Sequence, residues 1–160
     1  NEADPVVTAL SHSLGEVAAV SSVIDLKTHI ERIEKALPGD PYLAVGATKD
    51  LLEAAMRTIL TKRGHVDIQK LHFPELTSTC FNELGLSPQT PPATKGEGHI
   101  RKISSNAKKM IETANDLRNL TGTGHGHVVG TEEELSAEDA SLVASNGLIL
   151  AAWLLKKAGP

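Results

Sequence analysis

Residues 38–64 read PGDPYLAVGATKDLLEAAMRTILTKRG and decide the fold. Pro38 ends whatever precedes it. Asp40 is a natural N-cap, Pro41 suits the first helical position, and Gly64 suits the C-cap. Between them Leu51, Leu52, Ala55, Met56, Ile59 and Leu60 recur at three- and four-residue steps. That spacing is a wide apolar stripe on a helix from Pro41 to about Arg63, and a strand cannot produce it. Lys49, Glu53 and Arg57 are four apart and can pair along one edge of that helix.

The same periodicity extends outward in both directions. Residues 6–37 carry scattered apolar positions, and Gly15 and Ser21-Ser22 are the places where this stretch can divide into two helices. A shorter helix is expected over Phe73 to Leu84, entered through Pro74 and closed by Gly85, with Cys80 on its apolar face as a small core residue. The proline-rich stretch 87–98 reads as a loop, the most mobile part of the chain. A fourth helix is expected from about His99 to Leu120 through Ile103, Met110, Ile111 and Leu117. The last begins at Ser136, with Asp139 three residues on as in a capping box, and continues through Leu148 and Trp153 to Lys157. It is apolar nearly all round, which suits a central helix or one facing a partner. No strict alternation persists, so the fold class expected is all-α, a bundle of about five helices. The division expected is an N-terminal helical segment over 1–40, packed on a domain over 41–160.

Composition narrows the function. The chain has 160 residues, 40% hydrophobic and 22% charged, which suits one globular domain with its own core. No apolar run approaches a membrane span, and a single cysteine cannot form an internal disulfide, so the reading is a cytoplasmic protein with no membrane partner. Aromatics are only 2%, too few for a base-stacking platform, and the net charge is −4. The average hides a split. Residues 95–119 hold six cations against three acids, whereas residues 130–139 hold five acids and no cation.

The chemistry-bearing stretch is Leu117-Arg118-Asn119-Leu120-Thr121-Gly122-Thr123-Gly124-His125-Gly126-His127. Arg118 falls on the last turn of an amphipathic helix. A continued helix would carry His125 about 10.5 Å further along the axis, but the glycines permit left-handed turns that fold it back beside Arg118. Arginine holds a phosphodiester through two parallel hydrogen bonds, and histidine moves protons near neutral pH. RNA supplies its own 2′-hydroxyl nucleophile, so these two groups suffice for strand cleavage with no metal or other cofactor. The same residues can equally cap a helix or brace a loop. A third use is a metal site from His125 and His127 completed by His99 or His65.

This stretch resembles the Arg-x(4–6)-His motif of HEPN-domain ribonucleases, with six intervening residues and the polar Asn119 directly after the arginine. It is more closely similar to the Arg-Asn-x-x-Gly-x-Gly-His-Gly signature of the C-terminal domain of bacterial abortive-infection proteins. Val45-Gly46-Ala47-Thr48-Lys49-Asp50-Leu51-Leu52-Glu53, followed by Ile59-Leu60, resembles the second-helix segment of that domain. Phe81 to Leu86 resembles its Leu-Gly-Leu stop. The likeness spans roughly Tyr42 to Leu155. Where that family often carries a histidine before alanine at the start of the last helix, this chain has Asp139-Ala140, and His127 is the imidazole left to take that place.

The resemblance implies a HEPN-like bundle and a metal-independent endoribonuclease of phage defence. Arg118, Asn119 and His125 would be its catalytic residues. Arg101, Lys102, Lys108, Lys109 and His127 would bind RNA. It also implies a homodimer in which the Arg/His helices of two copies meet at a shared cleft, with an antitoxin or sensor as a further partner. The alternative is a non-catalytic module of the same fold that binds nucleotide, RNA or a protein.

Overall fold

In a computed structural model, residues 3–21, 26–87, 91–121 and 135–160 are described. Six α-helices and one short 3₁₀ turn account for nearly all of them, and no strand occurs among the described residues. The helices are α1 (Pro5–Ser21), α2 (Lys27–Ala36), α3 (Pro41–Lys62), α4 (Phe73–Glu83), α5 (Lys95–Thr121) and α6 (Ala137–Ala158). The all-α expectation holds, with one helix more than five.

The local signals explain most boundaries. Asp40 caps α3 by accepting from the Leu43 N–H at 3.1 Å, and Pro41 takes the first turn. Gly64 and Gly85 follow α3 and α4 at φ 84° and 72°, the left-handed region where a side chain is strained. Ser136 caps α6 by accepting from the Asp139 N–H at 3.0 Å. Two boundaries differ from the periodicity. Gly15 does not interrupt α1, which runs through it to Ser21. Helix α5 begins four residues before His99, because Thr94 accepts from the Glu97 N–H at 3.0 Å and Glu97 accepts from the Ala93 N–H at 3.0 Å. The last four residues of the expected 87–98 loop are therefore a helix start, and residues 88–90 lie outside the described part.

Helix α3 is the axis of the bundle and packs against α2, α4, α5 and α6. Leu51, Leu52, Met56, Ile59 and Leu60 are all essentially inaccessible, which is the stripe read from the sequence. Helices α3 and α6 run parallel. Thr48 meets Gly147 toward the middle of the two helices, and at their ends the Arg63 guanidinium donates to the Ala158 carbonyl at 3.0 Å. The Thr48–Gly147 approach needs glycine: a Cβ at 147 would stand 2.2 Å from Thr48 Cγ2. Helix α1 also packs on α6, and the Ser141 hydroxyl donates to the Asp4 carboxylate. That bond comes first among the causes that hold Asp4 below the usual carboxylate range. Cys80 is a core residue as expected, its thiol pushed up to about 12 chiefly by burial.

Candidate functional site

The site read from the sequence starts on α5. That helix is amphipathic because Ser104, Ile111 and Ala114 are buried while Lys102, Ser105, Lys109 and Asp116 are exposed. Arg118 lies on its last turn, four residues after Ala114 and seven after Ile111, and so continues the register of the buried stripe. Its side chain is outside the described part, as are His125 and His127. Asn119 is described and exposed. Helix α5 thus carries Arg118 and Asn119 to one end of the bundle. The same end holds the α6 N-cap Ser136 and the Asp4–Ser141 contact.

The four cations of the expected RNA strip are in different states. Arg101 is buried, its side chain 10% exposed. It donates to Glu97 at 2.7 Å and to the Ser87 carbonyl at 3.4 Å. It also lies 17 positions before Arg118, about 25 Å along the helix. Lys108 is half-buried and held by α4. Its ammonium is 3.3 Å from the Ser78 hydroxyl, 3.8 Å from Glu112 and 5.7 Å from the centre of the Phe81 ring. Lys102 and Lys109 are exposed, seven apart on the outer face. Of the four, these two present their charge to solvent.

Two polar clusters lie elsewhere, one expected from the sequence and one not. On α3 the expected triplet is a working network: Lys49 and Arg57 reach Glu53 at 3.0 and 2.9 Å, and Arg57 also donates to the Leu71 carbonyl. Burial pushes the Glu53 carboxyl up, but the Arg57 and Lys49 contacts outweigh it and leave it below its ordinary range. Far from Arg118, His65 Nε2 lies 2.9 Å from Glu83, which Arg63 approaches at 3.7 Å. His65 is 18 positions from Glu83, so no local spacing could have announced the pair. Among the described residues no three histidine, cysteine or acidic side chains converge as a metal site. No described helix is long and apolar enough to cross a membrane.

Compared with known families, residues 25–158 match the family model Abi_C, described as a HEPN-like domain. The match begins ahead of Tyr42 and takes in α2. No curated protein and no solved structure matches the chain.

Proposed function

We propose, from the premise that the chain belongs to the Abi_C family of HEPN-like domains and is a defence-related module of that kind, that it is a metal-independent endoribonuclease. The observation that carries this is the Arg118-Asn119…His125 motif at the end of an amphipathic helix, inside the family match. Arg118 clamps the scissile phosphate and holds the charge that builds on its oxygens. His125 moves the protons: one leaves the 2′-hydroxyl as that oxygen bonds to phosphorus, and one goes to the departing 5′-oxygen. The products are a 2′,3′-cyclic phosphate and a 5′-hydroxyl. Asn119, exposed beside the arginine, orients the phosphate or the ribose. His127 contacts the RNA, and Lys102 and Lys109 track its backbone. The chain works as a homodimer, restrained in the cell by an antitoxin or sensor.

The test is cleavage of a mixed tRNA and structured-RNA pool in EDTA by the wild type, Arg118→Ala and His125→Ala. Cutting by the wild type alone, with cyclic-phosphate ends, is the expected result. If all three proteins are inert yet bind RNA or a nucleotide, the chain is a binding module and the nuclease reading is wrong.

A further inference from the structure

The charges of the bundle are sorted by end. Helix α5 packs on α6. Glu97, at the start of α5, is held below its usual range first by the Ala93 N–H, then by Arg101, and also by the charge of Lys157 near the end of α6. The two helices therefore run antiparallel. The start of α5 thus joins the ends of α3 and α6 at one end of the bundle, and Arg118 stands at the other.

At the first end the fold holds its own acids. Glu83 lies 2.9 Å from His65 and 3.7 Å from Arg63, and Glu97 lies 2.7 Å from Arg101. Asp67, on the loop that leaves α3, is a further exposed acid. Against these, Lys62, Lys95, Lys156 and Lys157 are all exposed, and none makes an ion pair among the described residues. Lys62 lines a shallow recess between the ends of α3 and α6, with Ala158 and Pro160 across from it. The motif end has the opposite sign. Asp40, Asp116, Glu138 and Asp139 are exposed there and make no ion pair among the described residues.

Lys95 precedes Arg118 by 23 positions, about 35 Å along α5. Salt screens exposed charges within about 8 Å, so these lysines give no help to a phosphate at Arg118. They act only on an RNA that reaches them. A loose single strand suits this surface poorly. Of the four aromatic side chains, Phe73 and Phe81 are buried, Trp153 packs on the core and Tyr42 is half-buried, which leaves no open ring for unpaired bases to stack on. A duplex needs none, because proteins hold it through its phosphates and 2′-hydroxyls. At on the order of 3 Å per base pair, a duplex covers the distance from Lys95 to Arg118 in about a dozen pairs.

We infer that Lys62, Lys95, Lys156 and Lys157 form a second anchoring site for the RNA backbone, and that the substrate is a duplex-bearing RNA long enough to bridge from this site to Arg118. The inference deepens the reading proposed above and rests on its RNA ligand. The charge pattern sets the direction: the body of the RNA lies over the lysine end, and only the scissile unit enters the acidic surroundings of Arg118. A short RNA meets those acids without a second hold. Lys102 and Lys109 lie between the two ends, seven and fourteen positions after Lys95, and so follow it down one side of α5.

The test is filter binding of two 2′-O-methylated duplexes, which keep their phosphates and cannot be cut, one of about 18 base pairs and one of about six. The wild type should hold the long duplex at least about tenfold tighter, because a ligand gains affinity from two sites only when it reaches both. Lys62→Gln, Lys95→Gln, Lys156→Gln and Lys157→Gln together should abolish that preference and lower the salt slope for the long duplex by about two to four. The same four positions changed to arginine should keep both. All four are exposed, so thermal unfolding should not separate these proteins from the wild type. A glutamine variant that keeps the length preference overturns the proposal, and so does a wild type that has none. If polyglutamate of matched charge displaces the long duplex as well as unlabelled RNA does, the lysines serve an acidic protein and the proposal is wrong. Cleavage is judged separately: a chain that shows the length preference and cuts no RNA keeps this site and loses the ribonuclease reading.

Discussion

Replacing Gly147 with alanine tests whether the close approach of α6 to Thr48 of α3 governs the bundle's stability. Helix propensity alone predicts a gain, since alanine is about 1 kcal/mol better than glycine inside a helix. The packing predicts a loss. The new Cβ would stand 2.2 Å from Thr48 Cγ2, where carbon atoms prefer roughly 3.5–4 Å. Thr48 has no easy escape. It is 1% exposed, and its hydroxyl donates to the Ala44 carbonyl at 2.7 Å, so turning the methyl away breaks a buried hydrogen bond. The alternative is to push α6 off α3 along the bundle's main interface. Overpacking of this kind costs about 1–3 kcal/mol, and an overlap this deep belongs at the upper end. Set against the propensity gain, the net loss is about 1–2 kcal/mol, or roughly 3–8 °C in Tm for a chain of this size.

The control is Thr48→Ser, which removes the offending methyl and keeps the hydroxyl. Alone it should cost about 1 kcal/mol for one buried methyl. Combined with Gly147→Ala it should recover most of the alanine penalty, giving a coupling of at least about 1 kcal/mol in a double-mutant cycle. Thermal and urea unfolding followed by circular dichroism measure all four corners. A Gly147→Ala protein as stable as the wild type, or purely additive effects, would refute the claim that this crossing is tight.

Four other outcomes follow from the same contacts. Met56→Ala, at a site 1% exposed in α3, should cost about 2–5 kcal/mol in urea unfolding through the cavity it leaves. Arg101→Ala should lower Tm, because it leaves Glu97 and the Ser87 carbonyl without their cation. Lys109→Ala should leave Tm within about 1 °C and reduce the salt slope of RNA binding by about one phosphate contact. Asp4 and Glu53 are both held below the ordinary carboxylate range, so their contribution is present above about pH 4 and is lost as pH falls through their folded values. Urea titrations from pH 6 to pH 3 should therefore show a fall in stability that is smaller in Ser141→Ala, whose Asp4 lacks the hydroxyl bond.

Element type was legible because it depends on neighbours in sequence. The α3 stripe, Asp40-Pro41 and Ser136…Asp139 each act within one or two turns, and each sits where the spacing put it. The early start of α5 was legible in principle too. Thr94-Lys95-Gly96-Glu97 is a capping-box pattern, but two glycines and three prolines nearby outweigh it on propensity alone. What a linear reading cannot supply is occupancy. Lys102 and Arg101 are adjacent cations in a basic stretch, yet one is exposed and the other is buried against Ser87 and Glu97. A clue was present four residues upstream, where Glu97 offers an i,i+4 partner to Arg101 and none to Lys102. Lys108 likewise depended on where α4 would lie, which no local pattern encodes.

That difference bears on how the chain could engage RNA. A phosphate-tracking lysine must give up solvent and nothing else, so Lys102 and Lys109 can serve at the cost of side-chain entropy alone. Arg101, its own side chain largely buried, would have to break its contacts with Glu97 and the Ser87 carbonyl to reach a phosphate, which Lys102 and Lys109 need not do. The basic stretch that averages to three excess cations is thus, beside Arg118, three exposed lysines (Lys95, Lys102 and Lys109) and two cations held by the fold, Arg101 and Lys108. An RNA held by so few charges along α5 must be fixed at that helix by the Arg118 end, which makes loss of binding on Arg118→Ala larger than on Lys102→Ala and Lys109→Ala together. Filter-binding titrations at fixed salt compare them directly. Equal losses would mean that the lysines, and not the motif, hold the RNA.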